Sequence, residues 1–177
     1  MDNGKELEKR IKEKIRSIPD YPKKGILFRD ITPLLRDGPL FIACIDAIAE
    51  HFEGRVDAVA GVEARGFIIG SAVAYKLGKG FIPIRKEGKL PYDKVKKTYS
   101  LEYGEETIEI HKDALAKGER ILLVDDLLAT GGTAKASCEL IESLGGKIAG
   151  VAFIIELTDL HGRDKLSGKE VFTLVKY

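Results

Sequence analysis

Four short, almost wholly apolar runs constrain the fold of this 177-residue chain more than any other feature. They are residues 56–62, 80–84, 121–124 and 148–155, and helix-like stretches follow the first and the third. Continuously apolar strands that alternate with helices are typical of a parallel sheet that is covered on both faces. The sequence therefore predicts an α/β fold with a central, mostly parallel sheet and helices on both faces.

The N-terminal part of the chain predicts two helices with a loop between them. Apolar residues recur at spacings of three and four, which predicts one amphipathic helix across residues 1–18. Residues 19–38 contain several helix breakers and are predicted to form a loop, and residues 40–52 are predicted to form the second helix. The apolar positions of the first helix are Leu7, Ile11, Ile15 and Ile18.

The segment between the second and third apolar runs breaks the alternation. Residues 86–97 are polar and basic, so they are predicted to form an exposed loop. Residues 98–103 and 107–111 are predicted to pair as an antiparallel hairpin. A long basic loop on a hairpin that projects from an α/β core is a candidate lid, which would comprise residues 86–111.

The charge balance excludes binding that is driven by an overall electrostatic field. The 29 basic and 28 acidic residues give a net charge of +1, so we expect neither a nucleic acid nor a membrane as a partner. No apolar run approaches the ~20 residues that cross a bilayer, and the charged N-terminus lacks the apolar core of a signal peptide. We therefore expect a cytoplasmic protein, and the absence of linkers and repeats predicts one domain over residues 1–177.

The strongest chemical signal is the segment ILLVDDLLATGGT at residues 121–133. Taken alone, its two aspartates would suit a magnesium ion, hydroxyl groups or an ordinary polar strand end, and its two glycines would suit a tight turn. Together, inward-pointing backbone N–H groups and a helix N-terminus form a cradle that suits a phosphate monoester. The carboxylates lie one short loop upstream, where they would accept hydrogen bonds from the hydroxyls of a phosphorylated sugar. No Gly-Lys-Ser/Thr follows, so this is not a Walker A loop.

This segment resembles the motif with which type I phosphoribosyltransferases bind phosphoribosyl pyrophosphate (PRPP). The resemblance implies the fold of that family, with a small hood hairpin beside the sheet. It implies that Asp125 and Asp126 hold the ribose hydroxyls. It also implies that the 5′-phosphate is held by Ala129, Thr130, Gly131, Gly132 and Thr133.

Other segments resemble the adenine phosphoribosyltransferases, in the same order and over nearly the whole chain. The resemblance implies transfer of a phosphoribosyl group from PRPP to adenine, which yields AMP and pyrophosphate in magnesium-dependent purine salvage. It also implies a homodimer, which nothing in the residue spacing shows. The resembling segments are residues 22–33, 63–67, 85–91, 99–104 and 171–177.

The resemblance assigns the first 34 residues to base binding. An aromatic residue in a loop rich in breakers, Phe28, could equally be a hydrophobic plug that anchors the loop. The resemblance instead implies that Phe28 stacks on the purine, while backbone groups beside it read the edge of the base. The implied adenine-binding residues are Ile26, Leu27, Phe28 and Arg29.

The pyrophosphate is assigned to two segments that also have structural interpretations. The turn after the first apolar run could simply connect a strand to a helix whose N-terminus a carboxylate stabilises. The basic cluster after the second run could be a solvated face, or a lid that excludes water from the activated sugar. The implied pyrophosphate residues are Glu63, Ala64, Arg65, Gly66, Arg85, Lys86 and Lys89.

The resemblance also assigns the catalytic groups and the metal. Arg65 would stabilise the leaving group, and Glu102 would assist proton movement on the purine, directly or through Tyr103. Glu102 could equally be an exposed strand carboxylate. Because the three histidines are scattered and no side chains form a metal cage, we expect Mg²⁺ to be held by PRPP and water.

Two other functions remain open at this point. The same site could transfer the group to hypoxanthine, guanine or xanthine, because small shifts retune a pocket built from backbone groups. The chain could also be a regulator that senses PRPP or a purine without turnover. Such regulators usually need a nucleic-acid module, and residues 1–18 are too short for a helix-turn-helix.

Overall fold

The computed structural model describes residues 2–101 and 104–177 of the chain. The chain divides into two compact units, Met1–Ala47 and Ile48–Tyr177. The organisation as one domain stays a prediction. Among the described residues, no helix has both the length and the apolar character that crossing a membrane requires.

The N-terminal unit contains short elements where the sequence predicts a helix and a loop. It comprises α1 (Asp2–Lys14), β1 (Arg16–Pro19), β2 (Leu27–Asp30), α2 (Thr32–Arg36) and the first part of α3 (Gly38–Phe52). The strands β1 and β2 pair antiparallel, with Ile18 opposite Phe28.

The prediction of a helix up to residue 18 is therefore wrong at its end, and the prediction of a loop over 19–38 misses β2 and α2. The residue before a proline is disfavoured in the helical region, so Ile18 is extended ahead of Pro19. Its backbone groups pair with β2 instead.

The larger unit is built on a seven-stranded sheet with the order β5-β6-β4-β3-β7-β8-β9. The strands β4, β3, β7, β8 and β9 are parallel, and the hairpin β5-β6 joins the edge of β4 antiparallel. The predicted fold class is confirmed. The elements are β3 (Ala58–Val62), α4 (Arg65–Leu77), β4 (Gly80–Lys86), β5 (Lys94–Leu101), β6 (Gly104–His111), β7 (Arg120–Leu128), α5 (Gly132–Ser143), β8 (Lys147–Glu156), two 3₁₀ turns (Thr158–Leu160 and Gly162–Leu166) and β9 (Val171–Lys176).

Helices α4 and α5 cover opposite faces of this sheet. On one face, Ala60 and Leu123 pack in a fully buried cluster with Ile141 of α5. On the other face α4 approaches β3 so closely that a Cβ on Gly61 would lie 2.6 Å from the carbonyl oxygen of Gly66. This close approach sets the start of α4 directly beside the carboxyl end of β3.

The hairpin begins earlier than the sequence predicts. The predicted exposed loop spans residues 86–97, whereas β5 starts at Lys94 and only residues 87–93 connect it to β4. The lysines of β5 are paired with carboxylates of β6 and α5. Lys94 and Lys96 lie 3.6 and 3.4 Å from Glu109, and Lys97 lies 2.8 Å from Glu139. Cross-strand charge pairing therefore supports strand structure where composition alone favours a loop.

Candidate active site

A cavity of about 410 Å³ opens at the carboxyl ends of β3, β4 and β7. Ligands of open α/β sheets bind in this position, outside the carboxyl ends of the strands. Residues from the three predicted segments meet here, namely Glu63, Ala64, Arg65, Lys86, Asp125, Asp126 and Thr133. The cavity also has four lining residues that the sequence did not single out, namely Val62, Tyr99, Glu106 and Ile108.

The two aspartates lie inside β7 rather than beyond its end, because the strand runs to Leu128. Asp126 is only 4% exposed, and its carboxylate accepts a hydrogen bond from Nε of Arg65. The backbone N–H of Asp126 donates to Oδ1 of Asp125 at 2.9 Å. Burial, together with the charge of Asp126, raises the pKa of Asp125 well above its ordinary value. The pair thus offers acceptor oxygens at the cavity floor.

The loop from Ala129 to Thr133 turns into α5 through a residue that must be glycine. Gly131 has φ of +77° and precedes the first residue of α5. The backbone of this loop packs against Gly162, since a Cβ on Gly162 would lie 2.1 Å from the carbonyl oxygen of Ala129. Gly162 therefore shapes the loop from a distant segment, and no local pattern in the sequence marks it.

The turn after β3 brings charged groups together beside a cis peptide bond between Glu63 and Ala64. Nε and Nη2 of Arg85 each donate to the Glu63 carboxylate at 3.0 Å, and this pairing lowers the pKa of Glu63. Nη1 of Arg85 donates to the carbonyl oxygen of Lys89 at 3.1 Å. Arg85 and Lys89 thus form part of the support behind Glu63 and do not line the cavity.

The hairpin supplies the opposite wall of the cavity. The Tyr99 hydroxyl donates to Glu106 at 2.6 Å and lies 2.9 Å from the Thr133 hydroxyl. Burial is the main cause that raises the pKa of Tyr99, so this hydroxyl keeps its proton. Nζ of Lys86 reaches Glu106 at 2.5 Å. In the observed hairpin Tyr99 stands opposite Glu106, whereas the sequence placed Glu106 in the turn between the two predicted strands.

The predicted base-binding residues lie in the N-terminal unit. Ile26 and Leu27 are exposed, at 37% and 47%, and Phe28 packs edge-on against Tyr21 with ring centroids 5.2 Å apart. Arg29 donates to the Ser17 hydroxyl across the β1-β2 pair. Two further predicted residues, Glu102 and Tyr103, lie outside the described residues.

The charges that line the cavity do not balance. Arg65 and Lys86 are its cations, against the four carboxylates of Glu63, Glu106, Asp125 and Asp126. Each cation is paired with a carboxylate, Arg65 with Asp126 and Lys86 with Glu106. Among the described residues no cluster of three or more side chains could hold a metal ion. The cavity therefore brings together two adjacent aspartates, Thr133 from the loop that leads into α5 and two cations, while residues 129–132 of that loop are not among its lining residues.

This fold is that of the phosphoribosyltransferases. The model of the phosphoribosyl transferase domain matches residues 31–176, and the chain belongs to that family.

Within the family the similar proteins share one name. Proteins of Koribacter versatilis and Halothermothrix orenii, both named adenine phosphoribosyltransferase, are 58% and 56% identical to this chain. Each alignment covers 94% of this chain, and 92% and 98% of the respective relative. The chain therefore groups with the adenine phosphoribosyltransferases.

Solved structures agree with this grouping. The adenine phosphoribosyltransferase of Thermoanaerobacter pseudethanolicus is 52% identical with a TM-score of 0.93, and covers 96% of this chain and 99% of its own. That of Saccharomyces cerevisiae, complexed with an iminoaltritol bisphosphate and adenine, is 41% identical with a TM-score of 0.92 at the same coverage.

Proposed function

We propose that the chain transfers the 5-phosphoribosyl group of PRPP to adenine and forms AMP and pyrophosphate. One observation carries the proposal: the Asp125–Asp126 pair lies at the floor of a cavity whose other walls hold Thr133 of the phosphate loop and the cations Arg65 and Lys86. A sugar that carries a phosphate at one end and a pyrophosphate at the other needs these three groups of partners.

The sugar is held at its hydroxyls and at its 5′-phosphate. The carboxylates of Asp125 and Asp126 accept hydrogen bonds from the ribose hydroxyls. The N-terminus of α5 and the backbone N–H groups of residues 129–133 receive the phosphate. Asp126 accepts a hydrogen bond from Arg65, so binding of the sugar would exchange an internal ion pair for contacts with substrate.

The transfer breaks one bond and forms another at C1 of the ribose. The C1–oxygen bond lengthens, pyrophosphate leaves with the bonding electrons, and a ring nitrogen of adenine attacks the opposite face. Positive charge develops on the sugar and negative charge on the leaving group. The carboxylates of β7 stabilise the first, while Arg65 and Lys86 stabilise the second.

The cavity fits a substrate that arrives with a divalent cation. Both cations that line the cavity are already paired with carboxylates, so a free polyanion would compete with Asp126 and Glu106 for them. We propose that Mg²⁺ would be held by PRPP and by water beside the acidic residues Glu63 and Asp125. When bound, the ion would neutralise charge on the pyrophosphate.

The names of the relatives favour adenine over an oxopurine as the base. The yeast relative is described in complex with adenine, and relatives near 58% identity take their name from it. In this chain we assign the base to residues 26–29, with Phe28 as the stacking ring and Arg29 beside it. Placed backbone donors and acceptors distinguish amino from oxo substituents, which apolar side chains cannot do.

Glu102 is the residue that we propose to assist proton movement on the purine, directly or through Tyr103. A carboxylate within reach of the base can accept the proton that the attacking ring loses. Replacing Glu102 with Leu tests this role: a large loss of turnover at unchanged thermal stability supports it, and turnover within a few-fold of wild type removes Glu102 from the mechanism.

We also propose that the enzyme acts in the cytoplasm as a homodimer. Its substrates are small phosphorylated metabolites and free bases. Sedimentation of the purified protein tests the dimer, and a single species at the monomer mass would refute it.

The function is tested by supplying PRPP, Mg²⁺ and one base at a time, with adenine, hypoxanthine, guanine and xanthine in parallel. Chromatography follows the nucleotides. We expect AMP to form far faster than the other products. Turnover of an oxopurine would keep the PRPP site and refute the adenine pocket. Binding of PRPP without turnover of any base would favour a sensing regulator.

A further inference from the structure

Glu106 has no place in the chemistry of transfer, yet it lies on the cavity wall among residues that do. It accepts hydrogen bonds from two sides: the Tyr99 hydroxyl at 2.6 Å and Nζ of Lys86 at 2.5 Å. Its side chain is 24% exposed, whereas that of Lys86 is 60% exposed. The anchored partner of this pair is therefore the carboxylate, and the mobile partner is the lysine.

The direction of each hydrogen bond follows from counting protons. An ionised carboxylate only accepts, so the single Tyr99 proton points to Glu106. The Thr133 hydroxyl must then donate to the Tyr99 oxygen, 2.9 Å away. The result is one chain of bonds from Thr133 in the phosphate loop, through Tyr99 to Glu106, where it meets Lys86.

The charge state of Glu106 agrees with this direction. Partial burial acts to raise the pKa of Glu106, but the hydrogen bonds from Lys86 and Tyr99 outweigh it and leave the pKa below its ordinary value. Glu106 is thus an anion at neutral pH. A lysine side chain has four rotatable bonds, and an unpaired one at the rim of a cavity spends most of its time in water.

We infer that Glu106 is a positioning residue that holds the Lys86 ammonium over the cavity for the pyrophosphate group, and that Tyr99 fixes Glu106 for this purpose. The inference rests on the proposed function, in which Lys86 faces the leaving group. It assigns a task to two residues of the hairpin, Tyr99 and Glu106, that have no direct contact with the reacting atoms.

A double-mutant cycle with Glu106→Gln and Lys86→Ala tests the inference. Pyrophosphate affinity is measured by calorimetry with magnesium and inorganic pyrophosphate, and KM values are measured for PRPP and adenine. For Glu106→Gln we expect the pyrophosphate Kd and the PRPP KM to rise about tenfold, the size of one charge-assisted hydrogen bond. The adenine KM should stay within about twofold, since the base is bound by other residues.

The cycle separates positioning from a structural role. If Glu106 acts through Lys86, the Gln substitution has no further effect on pyrophosphate binding in the Lys86→Ala background. Glu105→Gln is the matched control, because Glu105 is the exposed neighbour on the same strand and does not line the cavity. It removes the same charge and should leave pyrophosphate binding unchanged, while Glu106→Asp should restore part of it.

Three results would overturn the inference: unchanged or tighter pyrophosphate binding by Glu106→Gln, an equal effect of Glu105→Gln, or an effect that persists without Lys86. Should Glu106→Gln fail to fold, Tyr99→Phe is used, for which a few-fold weaker binding is expected and unchanged binding contradicts the inference. Because calorimetry needs no base, wild-type protein that binds pyrophosphate but forms no AMP would refute the proposed function and still leave this test valid.

Discussion

The two ends of strands β3 and β7 hold charged residues in opposite ways. At the amino ends, Arg120 and Asp57 form a balanced pair: the guanidinium donates to both carboxylate oxygens at 3.0 and 2.7 Å, and two backbone hydrogen bonds join the same residues. At the carboxyl ends, four acidic residues line the cavity beside two cations, Arg65 and Lys86, and Arg85 pairs with Glu63 from behind. The first arrangement stabilises the sheet, and the second leaves acidic groups available to a ligand.

The pKa values reflect this contrast. Hydrogen bonds from the Arg120 side chain and backbone lower the pKa of Asp57 well below its ordinary value. Burial and the neighbouring charge of Asp126 raise the pKa of Asp125. Folding therefore favours the ionised form of Asp57 at one end of the sheet and opposes the ionised form of Asp125 at the other. Functional sites are often held at such a cost in stability.

The largest expected effect is the loss of activity when the carboxylate pair is broken. Replacing Asp126 with Asn removes an acceptor for the ribose hydroxyls and the partner of Arg65. We expect kcat/KM for PRPP to fall by on the order of a hundredfold. Asp57→Asn is the matched change at the other end of the sheet and should leave kcat/KM within about twofold. Equal losses in the two variants would contradict the contrast.

The second effect tests the shape of the phosphate loop. A Cβ on Gly162 would lie 2.1 Å from the carbonyl oxygen of Ala129, so Gly162→Ala must displace the loop. We expect the PRPP KM to rise by about tenfold or more, because a shift of ~1 Å misplaces the phosphate donors. Gly80→Ala is the control, since a Cβ there meets nothing within 4 Å. An unchanged PRPP KM in Gly162→Ala would show that the loop is not built against this segment.

The third effect concerns stability: the substitution is expected to raise Tm, whereas most single substitutions lower it. Asp125→Asn removes a partly buried carboxyl group whose pKa folding raises. In wild type this group loses its proton more readily in the unfolded chain than in the folded protein. Ionisation therefore costs stability as pH rises above about 4, the ordinary pKa of aspartate. We expect the Tm of Asp125→Asn to exceed that of wild type at pH 7 while activity is lost. A lower Tm would mean that Asp125 stabilises the fold.

The smallest effect has the opposite pH dependence. Folding lowers the pKa of Asp57, so its contribution to stability is present above the ordinary pKa of about 4 and is lost as pH falls below it. We expect Asp57→Asn to lower Tm modestly at pH 7, with a difference from wild type that shrinks towards pH 3. Calorimetric scans at several pH values measure this, and a difference that is constant with pH would argue against an ionic origin.

The sequence predicts the parallel core because each apolar run is continuous and each is bounded by turn residues. It predicts the floor of the site for a related reason: residues 121–133 are contiguous, so the order of the residues fixes their spacing. The sequence does not predict strands β1 and β2, because Ile18 continues the helical spacing of the apolar residues before it. Pro19 nevertheless excludes Ile18 from the helix. The pairing of Ile18 with Phe28 joins two segments ten residues apart and leaves no local pattern.

The wall of the site could be predicted only in part. Lys86 belongs to a basic cluster that is visible in the sequence. The positions of Tyr99 and Glu106 depend on the register of two strands, and this register leaves no local pattern. Gly162 lies in a 3₁₀ turn that meets the phosphate loop only in the folded chain. The family resemblance assigns Arg85 to the pyrophosphate, and in the structure it is paired with Glu63.

The most direct test of the central claim runs the reaction backwards. Purified protein is incubated with Mg²⁺, pyrophosphate and either AMP, IMP or GMP, and the release of free base is measured. The same site must bind the nucleotide phosphate, its ribose, the base and pyrophosphate at once. We expect release of adenine from AMP with matching formation of PRPP, and little base from IMP or GMP. Release of hypoxanthine or guanine at the rate of adenine, or no release from any nucleotide, would contradict it.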